Sequence, residues 1–488
     1  MRLVETHISW VLLGDKIAWK LKKPVRLPFL NFRTLASRRH YCTEELRVNR
    51  RFAPDMYLDV VDVVRAAGGV RIGVPGHVVD VALRMRRFAD GALWSERLGR
   101  GEVRESDVDA LAALLAAFHR AAPQALPSGP HGRPETHAQV IEGLLAVLPL
   151  LDPGTAPVSI WMRSECARLG DHFEQRRIGG HVREGHGDLH LGNIVQIGDR
   201  PTPFDAIEFN DSLRWIDPIQ DLAFPVMDLL AHGAAELAWR LLNRWLEATG
   251  DYGGLPALRF HLVCRALVRA QVCALREREG ARGDATCTSA AYRALALSLT
   301  RPERARLAIT HGLPGSGKTT TARRLAHAAG ALHLRSDVER KRLFGLTPLQ
   351  RPEALPGMYG ADATARTYGR LAELAGIGLR AGWSVVVDAA FLLQEERKAF
   401  ADLAAKARVP LTVIDCVAPA AVLRERVRAR HDQGDDASDA DVAVLERLAE
   451  IAEPLDGRER RHIIEVDAAP AKASDGADLV SRWRSASR

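Results

Sequence analysis

The chain has 488 residues and a formal net charge of +7 with a pI near 9.2; 47% of its residues are hydrophobic and 26% are charged. This length exceeds what one hydrophobic core accommodates, so two or three domains are expected, and the composition excludes a disordered chain. No run of about 18 apolar residues indicates a membrane-spanning helix, and the opening MRLVETHISW lacks the pattern of a signal peptide. We therefore expect a cytoplasmic protein with no membrane partner.

Arginine carries most of the positive charge, because only nine of the 68 basic residues are lysines. Three of these are Lys20, Lys22 and Lys23, and another, Lys318, lies in a glycine-rich segment. An ammonium is a compact point charge and a guanidinium a planar fork, so a lysine in this chain weakly indicates a site that needs the smaller group. The basic balance suits a nucleotide or a nucleic acid, but an arginine-rich solvated surface is the simpler explanation. Without a dense basic block, a nucleic-acid partner is possible and not favoured.

Strand patterns dominate the first 85 residues. Two short β segments are predicted over 7–22, around a Gly14-Asp15 turn, and further strands over 57–64 and 78–85. The intervening residues 35–52 have the pattern of a helix. From residue 105 the apolar residues recur at helical spacing. The later helices are predicted over 136–178, 219–249 and 258–300.

The segment HGDLHLGN interrupts this helical region. It places Asp188 and Asn193 five residues apart, and Asp205 follows Asn193 by twelve residues. A phosphoryl-transfer centre needs a base for the acceptor hydroxyl and oxygen ligands for the Mg²⁺ that accompanies ATP. Asp188 is the candidate base, and Asn193 and Asp205 are the candidate metal ligands. A polar turn with a capping aspartate is the alternative interpretation.

These residues resemble the aminoglycoside phosphotransferase and choline-kinase-like branch of the protein-kinase fold. The chain has His-Gly-Asp-x-x-x-x-Asn where protein kinases have H-R-D-x-x-x-x-N, and its later Asp lacks the glycine of DFG. The resemblance covers about residues 5–300. It implies an α+β, two-lobed kinase domain over 1–300, with an N-lobe of about 1–85 and a C-lobe of about 89–300.

The same resemblance implies a lysine on the third strand, and IAWK, ending at Lys20, matches it. Lys20 would contact the α- and β-phosphates of ATP, with Glu45 as its ion-pair partner. Glu45 is preferred over Glu44 because Glu45, Val48 and Phe52 share one helical face. Gly14-Asp15 stands where the family has a glycine-rich loop. Within IDPIQDLAF, Asp221 would brace the catalytic loop rather than react.

After residue 306 the pattern changes to alternating strands and helices, which predicts a parallel sheet covered by helices. The strands are LAITHG, ALHLRSD, WSVVVDAAF and LTVIDCV. After the first strand, GLPGSGKTT fits G-x-x-x-x-G-K-[ST], whose backbone N–H groups cradle phosphates at a helix N-terminus. Lys318 should reach the β- and γ-phosphates, and the Thr319 hydroxyl should ligate Mg²⁺. The candidate nucleotide-binding residues are Gly312, Gly315, Ser316, Gly317, Lys318, Thr319 and Thr320.

Acidic residues end the next two strands of this predicted sheet. Asp337 lies in RSDVERKRL and Asp388 in VVVDAAF. Ligands of open α/β sheets bind at the carboxyl ends of strands, so both carboxylates should face the phosphates. Asp388 is the candidate support for Mg²⁺, and Asp337, with Arg340 three residues on, is the candidate base for an acceptor hydroxyl. A helix N-cap is the alternative for each.

An arginine-rich segment, AVLRERVRARHDQGDD, follows the last of these strands. It would suit a mobile lid, in which Arg426 and Arg430 are candidates for contacts to phosphate or acceptor. A solvated helix explains it equally well. Together with GLPGSGKTT and SDVER, it resembles the gluconate kinase, zeta-toxin and polynucleotide 5′-kinase group over roughly residues 305–468. This implies an α/β P-loop kinase or ATPase domain with a parallel sheet over 305–488.

The two resemblances predict a bifunctional phosphotransferase that uses ATP and Mg²⁺. Each domain would pass the γ-phosphoryl group to a hydroxyl of a small-molecule acceptor, mainly by positioning and charge stabilisation. The alternative is that the N-terminal domain is a catalytically weak, nucleotide-binding regulator. The C-terminal P-loop kinase would then act alone, on small molecules or on polynucleotide 5′ ends.

Overall fold

A computed structural model describes residues 1–27, 30–151, 153–278, 288–350, 357–433, 437–438, 440–467 and 475–486. The chain divides into two compact units. Unit 1 comprises Met1–Gly233 and Ala257–Thr300, and unit 2 comprises Ala234–Pro256 and Arg301–Arg488. This division differs from the expected boundary between residues 300 and 305, because the segment 234–256 packs with the C-terminal residues.

Twelve strands and eleven α-helices are described before residue 300. The strands are β1 (Arg2–Glu5), β2 (Ser9–Leu13), β3 (Ile17–Lys22), β4 (Arg26–Leu27), β5 (Leu30–Asn31), β6 (Tyr57–Ala66), β7 (Gly69–Ile72), β8 (Val78–Arg86), β9 (Arg183–Glu184), β10 (Ile194–Ile197), β11 (Arg200–Pro203) and β12 (Trp215–Ile216). The helices are α1 (Leu35–Asn49), α2 (Trp94–Gly99), α3 (Glu105–Ala121), α4 (Pro134–Leu151), α5 (Ala156–Arg168), α6 (Gly170–Ile178), α7 (Asp211–Arg214), α8 (Pro218–Ala231), α9 (Ala235–Thr249), α10 (Leu255–Arg278) and α11 (Ser289–Leu299).

The strand-rich start of unit 1 forms a six-stranded antiparallel sheet in the order β1-β2-β3-β8-β6-β7. The predicted strands at 7–22, 57–64 and 78–85 all lie in it. Helix α1 begins after Thr34, whose hydroxyl accepts a hydrogen bond from the Ser37 backbone N–H at 3.1 Å, as N-cap residues do. Helix α1 packs against β6 and β8, which brings its buried face toward β3.

The remainder of unit 1 is mainly helical, as its apolar spacing predicts. On α3, Val108, Leu111 and Leu115 are fully buried, the stripe expected of an amphipathic helix that covers a core. The HGDLHLGN segment lies between β9 and the antiparallel pair β10–β11. None of the described helices combines the length and apolar composition that a membrane crossing requires.

Unit 2 alternates strand and helix. Its strands are β13 (Leu307–His311), β14 (Leu332–Arg335), β15 (Val385–Asp388), β16 (Leu411–Val417) and β17 (Ile463–Asp467). Its further helices are α12 (Lys318–Ala329), α13 (Ser336–Leu343), α14 (Ala361–Arg380), α15 (Gln394–Ala407), α16 (Ala420–Gln433), α17 (Val442–Ile451) and α18 (Gly476–Ala486). All five strands are parallel, in the order β14-β15-β13-β16-β17, which confirms the predicted α/β sheet.

Helix α9 covers the edge of this sheet formed by β14. The Asn243 amide nitrogen donates to the Ala331 carbonyl at 3.0 Å, and its oxygen accepts from the His333 N–H at 2.9 Å. The Asn243 side chain thus satisfies backbone groups that an edge strand would otherwise expose. The indole of Trp239 meets that of Trp383 edge to face at 5.5 Å. These contacts explain why α9, placed with the first domain by its sequence position, belongs to unit 2.

Candidate functional site

In unit 1, Lys20 on β3 lies between two carboxylates. Its Nζ is 2.7 Å from Glu45 Oε1 on α1, and it also donates to Asp205, 185 residues away in the chain. Glu45 is the partner that helical spacing predicts, whereas Glu44 pairs with Arg47 and Arg214. Three of the predicted unit 1 residues therefore meet in one cluster.

A second lysine completes this cluster. Lys22, two residues further along β3, places its Nζ 2.7 Å from Glu45 Oε2 and also donates to Glu208. The Lys22 and Glu45 side chains are each only 1% exposed. Glu45 thus holds one lysine with each oxygen, and buried charges need such pairing.

The charges in the cluster stabilise one another against the cost of burial. Burial disfavours a charged Lys20, but Asp205 and Glu45 outweigh it and raise the pKa of Lys20 well above its ordinary value. Burial likewise opposes ionisation of Glu45, yet Lys20 and Lys22 lower its pKa to about 2. Burial raises the pKa of Glu208 in spite of Lys22, and the charge of Glu45 adds to the effect. Lys20 and Glu45 are therefore a fixed ion pair at neutral pH.

Asp205 is held in an unusual backbone conformation. Its φ is 62°, in the left-handed region that residues other than glycine rarely adopt. Hydrogen bonds fix the peptides around it: the Asp205 N–H donates to the Tyr57 hydroxyl at 3.0 Å, and the Ala206 N–H donates to Asn49 Oδ1 at 2.8 Å. Such strain persists only where the surroundings impose it and concentrates at functional sites.

The predicted base, Asp188, lies in a loop organised by its own side chains. Asn193 donates through its amide nitrogen to the Asp188 carbonyl at 2.9 Å and to Asp188 Oδ2 at 3.2 Å. His190 Nε2 lies 3.6 Å from the same Oδ2. The Asp188 side chain is 37% exposed, so it is oriented and still accessible to an acceptor. Both bonds use the amide nitrogen of Asn193, and its side-chain Oδ1 takes no part in them.

Asp221, at the start of α8, holds the backbone of this loop in place. Its carboxylate accepts the backbone N–H groups of His186 at 2.8 Å and Gly187 at 2.9 Å, and contacts His119 Nε2 at 3.2 Å. Burial disfavours the carboxylate, but these contacts outweigh it and lower the pKa of Asp221 below its ordinary value. Gly187 has a φ of 86°, and a Cβ there would lie 2.6 Å from the Leu213 carbonyl oxygen. Glycine is therefore required at that position.

In unit 2, the GLPGSGKTT loop has the conformation that its glycines allow. Gly312, Gly315 and Gly317 have φ values of 136°, 83° and 86°. A Cβ at Gly312 would lie 2.4 Å from the Cys416 carbonyl oxygen, and one at Gly315 would lie 2.8 Å from that of Leu423. The hydroxyl of Ser316 is buried without a hydrogen-bond partner. An unpartnered polar atom in such a cradle fits the binding of a phosphate group.

Helix α12 begins at the predicted lysine and carries both threonines. Lys318 Nζ donates to the Leu313 carbonyl at 2.7 Å, so its ammonium lies over the loop. Thr319 lies close enough to Asp388 to lower the pKa of that carboxyl, whereas Thr320 is exposed. The loop thus brings Thr319 to the last residue of β15, as the parallel sheet predicts.

Asp388 is buried among polar groups at the end of its strand. Its Oδ2 lies 3.4 Å from His333 Nε2 and 3.8 Å from Arg335 Nε. Burial opposes ionisation, but His333, Arg335 and Thr319 outweigh it and lower the pKa of Asp388. Arg335 in turn binds Glu247 of α9, with Nη1 2.9 Å from Oε1. The sequence-distant helix α9 therefore contributes a carboxylate near Asp388.

Asp337 and Arg340 occupy different surroundings. Asp337 is in the first turn of α13, two residues after Arg335, which pairs with Asp388 in the β14–β15 register. Arg340 is 9% exposed and donates to the Met358 carbonyl at 3.0 Å and to Thr364 Oγ1 at 3.3 Å. These contacts hold the chain before α14, so a phosphate or acceptor role for Arg340 stays a prediction.

The predicted lid arginines lie on α16. Arg426 Nη1 lies 3.3 Å from the Gly315 carbonyl, directly on the glycine-rich loop. The Arg430 side chain lies outside the described residues. Arg426 is thus adjacent to the loop that it was predicted to cover.

Sequence reasoning missed Lys22, Glu208, His333 and Glu247. The cluster of lysines around Lys20 was a signal for Lys22, since this chain otherwise prefers arginine. Glu208 follows Asp205 by three residues, but its pairing depends on the fold. No spacing in the sequence connects Glu247 with the Asp388 region, because the contact depends on where α9 packs.

A family model described as an AAA domain matches residues 307–455. That range contains the GLPGSGKTT loop, Asp337 and Asp388, and it begins at the first residue of β13. The C-terminal part of the chain is therefore similar to P-loop domains of this family.

Individual relatives extend the similarity to both units. Uncharacterized proteins from Mycobacterium tuberculosis and Mycobacterium bovis are each 29% identical to the chain over 451 residues, which is 90% of this chain and 88% of theirs. Among solved structures, a choline/ethanolamine kinase family protein from Mesorhizobium loti is 14% identical and covers 62% of this chain and 87% of its own, with a TM-score of 0.37. A gluconokinase from Sinorhizobium meliloti is 21% identical and covers 38% of this chain and 93% of its own, with a TM-score of 0.26.

Proposed function

We propose that the protein is an ATP-dependent phosphotransferase with two sites, each of which transfers the γ-phosphoryl group to a hydroxyl of a small acceptor. Unit 1 would be a protein-kinase-like domain and unit 2 a P-loop kinase. The observation that carries the proposal is the convergence of Lys20, Glu45 and Asp205 in unit 1. Fixed ion pairs of this kind orient a lysine toward nucleotide phosphates.

In unit 1, Lys20 would bind phosphate oxygens while Glu45 holds its ammonium in place. Asp205 and Asn193 offer oxygen ligands of the kind that Mg²⁺ prefers, since the Asp205 side chain is 41% exposed and Asn193 contacts Asp188 through its amide nitrogen rather than its Oδ1 atom. The bound Mg²⁺ would offset the negative charge of the ATP phosphates. Asp188 would accept the proton of the acceptor hydroxyl, with Asn193 fixing the orientation of its carboxylate.

In unit 2, the backbone of residues 312–317 would cradle the phosphates and Lys318 would contact the β- and γ-phosphates. Thr319 and Asp388, which lie close to each other, would hold the second Mg²⁺. Asp337 lies at the same carboxyl edge of the sheet and would take the proton of the second acceptor. Arg426 would approach the transferring group from α16.

The proposal is tested on the full-length chain by measuring ADP release with a library of hydroxyl-bearing metabolites. Asp188→Asn should abolish the response to one set of acceptors, and Lys318→Ala the response to another. Each substitution should leave the other response intact, because the two sites use different residues. If no acceptor response depends on Asp188, unit 1 is not a phosphotransferase.

A regulatory role for unit 1 is the second candidate, favoured by one observation. The β2–β3 turn at Gly14-Asp15 is short, and the Gly14 carbonyl accepts from Arg87 at 2.8 Å, so no glycine-rich loop covers the phosphates there. In that case Asp188→Asn would leave all turnover unchanged, while an Asp205→Ala substitution that weakens nucleotide binding to unit 1 would change the rate of unit 2. That P-loop kinase would then act on small molecules or on polynucleotide 5′ ends, and the latter predicts binding of single-stranded oligonucleotide with a steep salt dependence.

A further inference from the structure

Helix α10 buries an arginine with two nitrogen atoms that have no hydrogen-bond partner among the described residues. Arg265 is 7% exposed, and its Nε and Nη2 atoms are buried without a hydrogen bond. Its guanidinium lies over the ring of Phe224 on α8, 4.7 Å from the ring centroid. Within the part of the chain that the structure describes, no ion pair includes Arg265. A buried cation without a carboxylate or a carbonyl is costly for the free protein, which indicates that a ligand supplies the missing partner.

A second arginine lies one turn further along α10. The Nε of Arg269 is also buried without a hydrogen bond, and its guanidinium is 5.6 Å from the ring centroid of Tyr292. The Tyr292 hydroxyl donates to Asp228 at 2.6 Å, and Asp228 accepts the Leu191 N–H of the HGDLHLGN loop at 2.8 Å. Arg269 is therefore connected to the loop that carries Asp188.

The path from Arg265 to Asp188 crosses two aromatic rings. The Phe224 ring centroid is 5.8 Å from that of His190, and His190 Nε2 is 3.6 Å from Asp188 Oδ2. Both arginines are thus linked to the Asp188 loop through side chains of α8 and α11 and through His190.

The groups around Arg265 do not neutralise it. His137, which is half-buried, and His261, which is buried, lie near it. Desolvation lowers the pKa of His137 to about 4 and that of His261 well below its ordinary value, so both are neutral at physiological pH. Asp217 is bound by Arg176, with the two nitrogen–oxygen distances at 2.6 and 2.7 Å. The charge of Arg265 therefore remains available.

We propose that Arg265 and Arg269 form an anion subsite of unit 1, and that the acceptor phosphorylated there carries a carboxylate or a phosphate group. A planar guanidinium binds either oxyanion with two parallel hydrogen bonds. The assignment of this anion to the acceptor rests on the proposed transferase function of unit 1. Binding of an anion by Arg265 and Arg269 does not depend on that function and is tested separately.

The test titrates inorganic phosphate into the full-length chain and follows its melting temperature, with sodium chloride at matched ionic strength as the reference. All variants carry Lys318→Ala, which weakens phosphate binding by the glycine-rich loop of unit 2. Phosphate should raise the Tm of this parent, because a ligand that binds the folded state stabilises it. Arg265→Met should raise the Tm without phosphate, since it removes an unpaired buried charge, and should weaken the apparent Kd by about tenfold or more.

Arg278→Gln, at the exposed end of the same helix, is the charge-matched control and should bind phosphate like the parent. Arg265→Lys retains the charge but loses the planar guanidinium with its two parallel hydrogen bonds, so it should also weaken phosphate binding. This variant provides the test if Arg265→Met folds poorly. A parallel acetate titration tells whether the subsite prefers a phosphate or a carboxylate. Phosphate binding that is absent from the parent, or equal in parent and Arg265 variants, would overturn the subsite.

Steady-state kinetics test whether the anion bound at this subsite belongs to the acceptor. Acceptors that respond to Asp188→Asn should carry an anionic group and should lose kcat/KM in Arg265→Met, mainly through KM. A neutral acceptor that is insensitive to Arg265→Met overturns the assignment. Asp188→Asn removes a negative charge near Arg269 and should not weaken phosphate binding, so a failure of the transferase proposal and a failure of the subsite are distinguishable.

Discussion

Lys20 and Lys22 share the carboxylate of Glu45 but differ in their other surroundings. Lys22 is 1% exposed and serves Glu208, whereas the Lys20 side chain is 12% exposed and reaches Asp205. Lys22 therefore has the surroundings of a structural residue, and Lys20 those of a residue that can exchange a carboxylate for a ligand.

We expect Lys22→Met to lower the free energy of unfolding of unit 1 by about 3–5 kcal/mol, because it leaves buried carboxylates without a partner. Lys20→Met should destabilise less, since Lys22 still neutralises Glu45, but it should weaken ATP binding more. Denaturant unfolding and calorimetric titration of the two variants measure both quantities. Equal losses of stability from the two substitutions would contradict this division of roles.

The low pKa of Glu45 makes part of the stability depend on pH. Its pKa is lowered from 4.5 to about 2 in the folded protein, so its contribution is complete above pH 4.5 and is lost as the pH falls toward 2. Glu45→Gln should flatten the decline of the unfolding free energy over that range. The measurement is chemical denaturation at a series of pH values.

Glu208 should have the opposite effect to Glu45 on the pH dependence of the unfolding free energy. Because its pKa is raised in the folded state, its contribution is present below its ordinary pKa and is lost as the pH rises. Glu208→Gln should therefore make the dependence on pH steeper. A flattening by both substitutions would mean that the two carboxylates act alike.

At the scale of elements, α9 covers the β14 edge of the sheet through hydrogen bonds between the side chain of Asn243 and the backbone of Ala331 and His333. Asn243→Ala should lower the stability of unit 2 by about 2–4 kcal/mol, because it leaves a buried N–H and a buried carbonyl of residues 331–333 unpaired. Glu236→Gln, in the exposed first turn of the same helix, should have little effect. Hydrogen exchange of the His333 amide should accelerate in Asn243→Ala and not in the control; unchanged exchange would show that α9 does not protect β14.

The elements that could be predicted are those with a periodic pattern. Alternation of strands and helices after residue 306 was sufficient to place the glycine-rich loop, Asp337 and Asp388 at one edge of a parallel sheet, because such strands share the direction of their carboxyl ends. Helical spacing was likewise sufficient to select Glu45 over Glu44. Both inferences follow from local geometry alone.

The packing partner of α9 could not be predicted in this way. Periodicity shows that a segment is a helix and which face is apolar, but not which sheet that face covers. Asn243 binds backbone groups, which are the same in every residue and leave no signal in the sequence. Glu247 contacts Arg335 only because α9 packs beside β14. The pairing of Lys22 with Glu208 is hidden for the same reason, since it joins residues 186 positions apart.

For the whole molecule, the two nucleotide sites that we propose, on unrelated scaffolds, predict a simple stoichiometry. A non-hydrolysable ATP analogue with Mg²⁺ should bind the full chain at two equivalents. Lys318→Ala should remove one of them and Asp205→Ala the other, because each acts in its own unit. Calorimetric titration counts the sites, and a single equivalent abolished by Lys318→Ala alone would contradict the two-site proposal.

Because unit 2 includes residues 234–256, neither unit is one continuous stretch of chain. During translation α9 leaves the ribosome well before the strands that it covers, and at usual elongation rates the delay until Trp383 emerges is on the order of 10 s. Over that interval the Trp239 face has no sheet to pack against. A nascent chain halted shortly after residue 300 should therefore recruit chaperones that bind exposed apolar surface, and one extended past β15 should release them.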